Sequence, residues 1–517
     1  MNEWEIAESF KMDSKLEKIY NSFDDNIGKT GPKISPLEIE KESSSFKLFF
    51  DEEIISYIKK ESLDYMEKIT KKDKEVKFGS RLYYLKNYEI NNEDLYAYLA
   101  IKIYMGILKL PKKEMYWSSS ILYHNNFISS LMPKCYFKFI ESSLHFVEIN
   151  EEENKKEKNK DPRYKLGKIL DLLNDKFNKY YILEQQITID ETIVNFKGTN
   201  SMKFYIPSKP HKWGFKLHLL SESSTGYTSK VLMDPGRKRE NLIGKNDEND
   251  NNNNNNEKIL KSEKILLELL DNNYRYKGYH LYIDSWYTSI SSIEKLQNLG
   301  FCVTGMISDN RINLGYFLEK NLNDKESLIF YNPKLKQNLV IHKDKRILKL
   351  ITNYKYDIID NGRRPYAIVD YSDNMHGVDF MNLKTSYYKI GDKCYKWYKY
   401  IFSRMVEISL ENSRIIYNKV HNLKETIFEF REKVMLQLLE NYQKRRKCIS
   451  SKVLSKNNFG IGISLLHLPI KKNNYVFCGF CKDKFTRNYC QDCKIFLCIN
   501  CYRDFHLNKF KKYNFTI

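Results

Sequence analysis

At 517 residues the chain is long enough for three or four domains of about 150 residues each, which excludes a small disulfide-stapled peptide. Its 86 lysines and arginines against 66 aspartates and glutamates leave a net charge of +20, an excess that favours a polyanionic partner, nucleic acid first. With 42% hydrophobic and 14% aromatic residues, wholesale disorder is excluded.

Residues 1–45 are polar and without sustained periodicity, as in Gly28-Lys29-Thr30-Gly31-Pro32 and Glu42-Ser43-Ser44-Ser45, and read as a disordered leader. The acidic start Met1-Asn2-Glu3-Trp4-Glu5 is followed by no apolar signal segment, so a reducing, cytosolic or nuclear compartment is expected. From Phe46 to about Tyr180, apolar residues recur at helical spacing, as in Ile54, Ile55, Ile58 and Leu166, Ile169, Leu170, Leu173. The charged run from Glu151 to Lys160 interrupts this region as a solvated loop. The most apolar stretch, Leu95 to Leu110, carries Lys102 and stops at Pro111-Lys112-Lys113. It falls short of the roughly 18 apolar residues of a membrane span and reads as a buried helix.

After Tyr181 the pattern alternates, in Ile187-Thr188-Ile189-Asp190, Phe215-Lys216-Leu217-His218-Leu219 and Thr228 to Met233, which predicts three strands. The asparagine run 246–256 is an insertion with no core of its own. A helix over Ile259 to Leu270, a strand His280 to Asp284, a helix Ser289 to Leu299 and a strand Phe301 to Met306 follow, so the order is βββαβαβ, an α/β layout. Residues 307–363 form another β-rich block, and Trp397 to Val420 is a long amphipathic helix. Lys444-Arg445-Arg446-Lys447 reads equally as a solvated hinge and as a nuclear import or phosphate-contacting segment. No P-loop, dinucleotide-binding GxGxxG or GxSxG elbow occurs, so no nucleotide cofactor is expected.

Asp190 lies in the first predicted strand, Asp284 at the end of the fourth and Asp379 at a loop-to-helix boundary. In a βββαβ unit the fourth strand packs beside the first, so these acids are expected to converge despite separations of 94 and 95 residues. Three such carboxylates can hold two Mg²⁺ or Mn²⁺ ions about 4 Å apart for phosphoryl transfer. Single aspartates among 66 acids are more commonly caps or surface charges, so the assignment leans on the surrounding residues. His280 stands four residues before Asp284, within reach of a metal or simply packed, and Trp286 and Tyr287 read as base-stacking or core aromatics.

Those surroundings are Asp190-Glu191, Phe196-Lys197-Gly198, Tyr205-Ile206-Pro207-Ser208-Lys209-Pro210 and Gly214-Phe215-Lys216; then Asp284-Ser285-Trp286-Tyr287-Thr288-Ser289 with Thr304-Gly305 and Asn310-Arg311; then Asp370-Tyr371 and Met375-His376-Gly377-Val378-Asp379. They resemble the catalytic segments of the piggyBac family of DDE transposases. Weaker matches at Phe46-Lys47-Leu48-Phe49-Phe50, Met105-Gly106, Tyr116-Trp117-Ser118, Leu144-His145-Phe146, Lys396-Trp397 and Asn412 extend the resemblance over about residues 46–506.

The resemblance implies an RNase H-like catalytic core (184–306 and 364–388) with a β-rich insertion domain (307–363). A helical dimerisation and DNA-binding domain (46–183 and 389–447) and a C-terminal cysteine-rich finger (465–517) complete it. It makes Asp190, Asp284 and Asp379 the metal-binding triad of a nuclear enzyme that nicks transposon ends and joins them to TTAA target DNA as a homodimer. Lys197, Lys209, Lys216, Arg311, Lys396 and Trp397 are the expected DNA contacts. Two departures stand out: the family usually has an aspartate where this chain has Asn382, a weaker metal ligand by one negative charge, and a glycine where it has His376. A domesticated relative that binds DNA without cutting it is the alternative.

The last segment reads Cys478-x2-Cys481-x8-Cys490-x2-Cys493-x4-Cys498-x2-Cys501-x4-His506. Three CxxC pairs and a histidine predict a cross-brace with two structural zinc ions. Cys478, Cys481, Cys498 and Cys501 share one ion; Cys490, Cys493 and His506 hold the second, with His467 as the candidate eighth ligand. The family resemblance assigns this finger to transposon-end DNA, and the flanking Lys471, Lys472, Lys509, Lys511 and Lys512 suit phosphate. The rival readings are a RING-like module of the ubiquitin system, which would need a Cys-x-His pair that is missing, and a PHD-like histone reader.

Overall fold

Ile187, Ile189, Leu217 and Leu219 are fully buried, and the alternation that predicts strands after Tyr181 builds the middle of a ten-stranded sheet. The structure, a computed structural model, describes residues 4–442 except 72–75, 77–79, 119, 121, 124, 149–160, 208–211, 237–258, 312–321, 358–363 and 391–395. Beyond these it describes 469–502 except 492, and 505. Two compact units divide the chain, Met1–Gln443 and Lys444–Ile517. The asparagine run, the charged run 151–160 and the basic run 444–447 lie outside the described residues.

The strands of the first unit are β1 (Glu5–Ile6), β2 (Gly31–Pro32), β3 (Tyr181–Ile182), β4 (Gln186–Asn195), β5 (Phe204–Tyr205), β6 (Trp213–Glu222), β7 (Thr228–Met233), β8 (His280–Ile283), β9 (Cys302–Met306), β10 (Ser327–Asn332), β11 (Gln337–Lys343) and β12 (Ile347–Thr352). The large sheet runs β1-β10-β11-β12-β9-β8-β4-β6-β5, with β7 also paired to β6. Its heart is β7-β6-β4-β8-β9: β6 is antiparallel to β4 and β7, whereas β4, β8 and β9 are parallel. The fourth strand of the βββαβαβ series thus lies beside the first.

Side chains alternate across a strand, so each face of this sheet has its own set. Ile187, Ile189 and Ile283 join the main apolar core with Ile265, Leu266, Ile293 and Leu296 from the helices Lys261–Leu269 and Ile290–Asn298. Tyr282 points the other way, against Ala367, Ile368 and Tyr371 of the helix Tyr366–Asn374. The helix Gly377–Tyr387 packs on β4 and β6.

The helical segments flanking the sheet in sequence pack against one another. The helix Ile427–Leu438 lies on Asn92–Ile107, and Trp397–His421 lies on Glu42–Lys47. Asn92–Ile107 is apolar almost all round, as a helix covered on most sides must be, and its buried Lys102 is 4.0 Å from Glu141. A reciprocal capping box of Asn91 and Asp94 starts it. Among the described residues no helix is long and apolar enough to cross a membrane.

Residues 307–363 bring strands to the sheet: β12 pairs antiparallel with β9, Leu350 opposite Met306, and β10–β12 carry the central sheet outward. The outer edge of β9 offers unpaired backbone groups, and the hairpin satisfies them. Residues 4–45, read as a disordered leader, are packed. β1 pairs with β10, Phe10 rests edge-on against Tyr356, Phe23 against Tyr279, and the Asn338 side chain exchanges hydrogen bonds with the Lys11 backbone. Phe10 stands alone in a polar stretch, whereas Leu16, Ile19, Tyr20 and Phe23 recur at helical spacing over barely two turns of an otherwise polar segment. Phe23→Ala, leaving a cavity beside Tyr279, is expected to cost about 3 kcal/mol, read as a lowered urea midpoint of the full chain.

Candidate active site and cysteine cluster

Asp190 and Asp284 are brought side by side by strand register. In the parallel pair β4·β8, Thr188 lies opposite Tyr282 and Ile189 opposite Ile283, so the next residues are the two aspartates. Both continue the Thr188 and Tyr282 face, which the helices Tyr366–Asn374 and Gly377–Tyr387 cover. Thr188 Oγ1 donates to the Asn374 carbonyl (2.8 Å), and Tyr371 Oη to the carbonyl of Ile283 (3.3 Å).

The residues after Asp284 explain themselves as a stop. Tyr287 and Thr288 donate their backbone N–H groups to the Asp284 carbonyl, and the Thr288 hydroxyl adds a third bond of 2.9 Å. Ser289 then caps the helix Ile290–Asn298 in a reciprocal box with Ser292. Gly305 leaves room for this turn, since a Cβ there would meet Thr288 Oγ1 at 2.4 Å. Arg311 clamps it from outside, donating to the carbonyls of Thr288 and Trp286.

Asp379 sits in the first turn of Gly377–Tyr387, exposed, with His376 Nδ1 3.3 Å from its Oδ2. Gly377 lets the helix start touch the sheet: a Cβ there would lie 2.6 Å from the Glu222 carbonyl. The three carboxylates are not gathered within 4.8 Å of one another as the finger sulfurs are. Two ions about 4 Å apart span a wider set of ligands than one ion does. Asn382, one turn further, has its side-chain oxygen committed to Arg404 Nη2 at 2.8 Å, and Arg404 is buried beside Glu407. That hydrogen bond takes one of the two lone pairs of the amide oxygen.

His280 is a packing residue. It is 1% exposed, 2.9 Å from Thr304 Oγ1 and 3.2 Å from Tyr282 Oη, and burial lowers its pKa to about 3. Tyr282 and Tyr356 both donate to Asp370 Oδ2, at 2.7 and 2.8 Å, yet burial still raises the Asp370 pKa. Asp370, Tyr371 and Arg404 support the site without having been singled out as such in the sequence. The first two stand in a recognised motif, whereas Arg404 carries no sequence signal.

The expected DNA contacts fare differently. Lys197 is exposed, and Lys209 lies outside the described residues. Lys216 is turned inward, over the Trp286 ring at 4.2 Å and 3.8 Å from Glu191, where burial lowers its pKa. It occupies the sheet face opposite Asp190, with His218, whose Nδ1 meets Tyr287 Oη. Arg311 is spent on the turn after Asp284. Lys396 donates to Tyr65 Oη, and Trp397 packs on Phe215. In each of these four the cation or ring finds partners on neighbouring elements.

In the second unit, Cys478, Cys481, Cys498 and Cys501 bring their sulfurs within 4.8 Å of one another. Cys481 and Cys498 are 3.9 Å apart, against about 3.8 Å for two sulfurs on one tetrahedral ion with bonds of about 2.3 Å. The set fits a metal ion. Burial opposes ionisation of Cys478, but backbone N–H groups of Cys481, Cys498 and Phe480 lower its pKa to about 6. Lys482 and Lys494, each directly after the second cysteine of a CxxC pair, take left-handed φ values of 60° and 53°. Cys490-x2-Cys493 therefore ends in the same turn as Cys478-x2-Cys481. His467 and His506 lie outside the described residues.

The family model described as transposase IS4 matches residues 41–414, well over half of the chain. Human PiggyBac transposable element-derived protein 3 is 23% identical over 487 residues, covering 89% of this chain and 75% of the relative. Human PiggyBac transposable element-derived protein 2 is 22% identical over 386 residues, covering 71% and 60%. A solved structure titled as a piggyBac transposase synaptic complex with hairpin DNA superposes with a TM-score of 0.69 at 21% identity, over 92% of this chain and 98% of the other. Fold and aspartate-bearing sheet define a transposase-type α/β protein. The chain belongs to the piggyBac family of transposases.

A pH dependence follows from His280. Its folded pKa of about 3 lies below the ordinary 6.5, so on acidification the unfolded chain takes up a proton that the folded chain refuses. Its contribution is whole above pH 6.5 and is lost as pH falls from there towards 3, at about 1.4 kcal/mol per pH unit. His280→Gln should flatten the urea midpoint against pH between pH 6.5 and 4 by about one proton's worth.

Proposed function

We propose that the chain is a metal-dependent DNA transposase whose strand-cutting centre is Asp190, Asp284 and Asp379 on an RNase H-like core. The observation that carries this reading is the register of β4 and β8, which makes Asp190 and Asp284 neighbours on one face of the sheet. The strand order β7-β6-β4-β8-β9, with β6 antiparallel, supports the RNase H-like assignment. All-oxygen carboxylate donors suit Mg²⁺ or Mn²⁺. A bound pair of such ions would supply an activated water and a stabilised leaving oxygen.

The chain's own residues provide position. The turn after Asp284, fixed by Thr288 and clamped by Arg311, holds that carboxylate at the strand end. His376 Nδ1 lies 3.3 Å from Asp379 Oδ2 and steadies that carboxylate. The substrate is double-stranded DNA at transposon ends. Nicking by water, attack of the released hydroxyl on the opposite strand and joining to TTAA target DNA are the steps of the family, carried out in the nucleus by a homodimer. The net charge of +20 favours such a partner. In the finger, two zinc ions are proposed, one on Cys478, Cys481, Cys498 and Cys501, the other on Cys490, Cys493, His506 and His467.

A second reading, DNA binding without cleavage, has a specific observation in its favour. Asn382 contributes no charge, and its oxygen is held by Arg404. Supercoiled plasmid carrying the terminal repeats, incubated with protein and Mg²⁺, separates the two: nicks at the repeat ends support the transposase, and specific binding without nicks supports the second reading. Asp284→Ala should reduce nicking at least a thousandfold, while end binding stays within about twofold, because one ligand is lost from the phosphoryl-transfer centre and no surface contact. Elemental analysis of the full chain should return two zinc atoms, falling to one or fewer with Cys478→Ser. A single zinc in the unaltered chain would mean that Cys490, Cys493, His467 and His506 form no site.

A further inference from the structure

We infer that the outer face of the finger's sheet is a stacking platform for unpaired nucleobases. This deepens the proposed DNA reading by naming a partner for the finger, single-stranded nucleic acid, distinct from duplex transposon ends. The sheet is three strands, β13 (Pro469–Phe477), β14 (Phe485–Cys490) and β15 (Ile495–Phe496), paired in that order. On β14 the faces separate cleanly. Thr486 and Cys490 point inward and are buried, whereas Phe485, Arg487 and Tyr489 point outward.

Cross-strand register enlarges the outward set. Phe477 pairs with Phe485, their ring centroids 3.8 Å apart, and Tyr475 stacks on Phe485 at 5.5 Å with only 5° between planes. Phe496 pairs with Tyr489 at 4.8 Å. Tyr475, Phe477 and Phe485 are 63%, 51% and 48% exposed. Large rings left in water at this density on one small sheet are a binding surface rather than a core.

Charge chooses the occupant. Lys472 sits 3.8 Å over the Tyr489 ring and Arg487 5.5 Å over Tyr475, so each end of the ring array carries a cation. Residues 469–502 hold five lysines and one arginine against two aspartates. A methylated lysine of a histone tail would meet cations already on the rings, Lys472 over Tyr489 and Arg487 over Tyr475. A strand of nucleic acid matches both features: flat bases for the rings, phosphates for Lys472 and Arg487. Duplex DNA hides its base faces and can use only the cations.

The test uses the full chain and a 20-nucleotide oligo(dT) containing 5-iodouracil, with a duplex of equal length beside it. Ultraviolet cross-links are expected at Tyr475, Phe477 or Phe485. Phe477→Ala with Phe485→Ala should weaken single-strand binding roughly tenfold or more, leaving duplex binding and the salt slope unchanged. Lys472→Ala with Arg487→Ala should instead lower the slope of log affinity against log salt by about 1.4. Phe477→Leu with Phe485→Leu removes the rings but keeps bulk, so the same loss with unchanged zinc content excludes unfolding.

Single-strand affinity untouched by the ring variants, cross-links confined to the first unit, or equal loss of duplex affinity would each overturn the inference. So would a dimer that the ring variants dissociate, which would make the face a contact between copies, or tighter binding of a trimethyl-lysine peptide. A chain that nicks plasmid at terminal repeats yet ignores oligo(dT) would overturn this inference alone and leave the transposase reading standing.

Discussion

The parallel pairing of β4 with β8 is the constraint on which the candidate centre rests. Ile189 opposite Ile283 places Asp190 beside Asp284, two residues 94 apart in sequence. A slip of one residue would turn one aspartate into the apolar core and bring an isoleucine to the surface, at a cost that the buried Ile187, Ile189, Leu281 and Ile283 make prohibitive. The hydrophobic pattern therefore sets the register, and the register sets the distance between the acids. Around this pair the other parts act as braces: Arg311 on the turn, Tyr371 on the Ile283 carbonyl, Gly377 allowing the third acid's helix to seat on the sheet.

The alternation after Tyr181 and the spacing of helices and strands made the β4, β6, β7, β8 and β9 series legible, because there each local pattern agrees with the fold. Residues 4–45 were read as disordered because their apolar residues are few: Phe10 stands alone, and the helical spacing of Leu16, Ile19, Tyr20 and Phe23 lasts barely two turns. The β-rich reading of 307–363 carried no sign of attachment to β9, because edge pairing is a property of two segments and leaves no mark in either. Lys216 shows a different limit. A lysine in an alternating strand reads as outward, yet this one rests on Trp286 and Glu191 at a face that other elements cover.

Where the chain departs from its family, electrostatics gives the departures meaning. Arg404 is buried with Glu407 at 3.5 Å, and its Nε makes no hydrogen bond. An aspartate at 382 would hand this guanidinium a second carboxylate, whereas the amide of Asn382 offers a dipole. The third acid's helix thus carries one negative charge fewer near Asp379. Less negative charge there means a weaker field for any cation near Asp379.

The finger solves a different problem by different means. Its buried cluster is Cys478, Leu497 and Cys498, with Ile495, Cys501, Tyr502 and Phe505 against it, so the sulfurs that gather around one point are themselves much of the core. Among the described residues that core is small, and a metal ion held by the four sulfurs would add its binding free energy to folding. The outward rings follow from the same economy. With Cys478, Leu497, Cys498, Tyr502 and Phe505 on the inward side, Tyr475, Phe477 and Phe485 stay exposed and cover part of one another's faces instead.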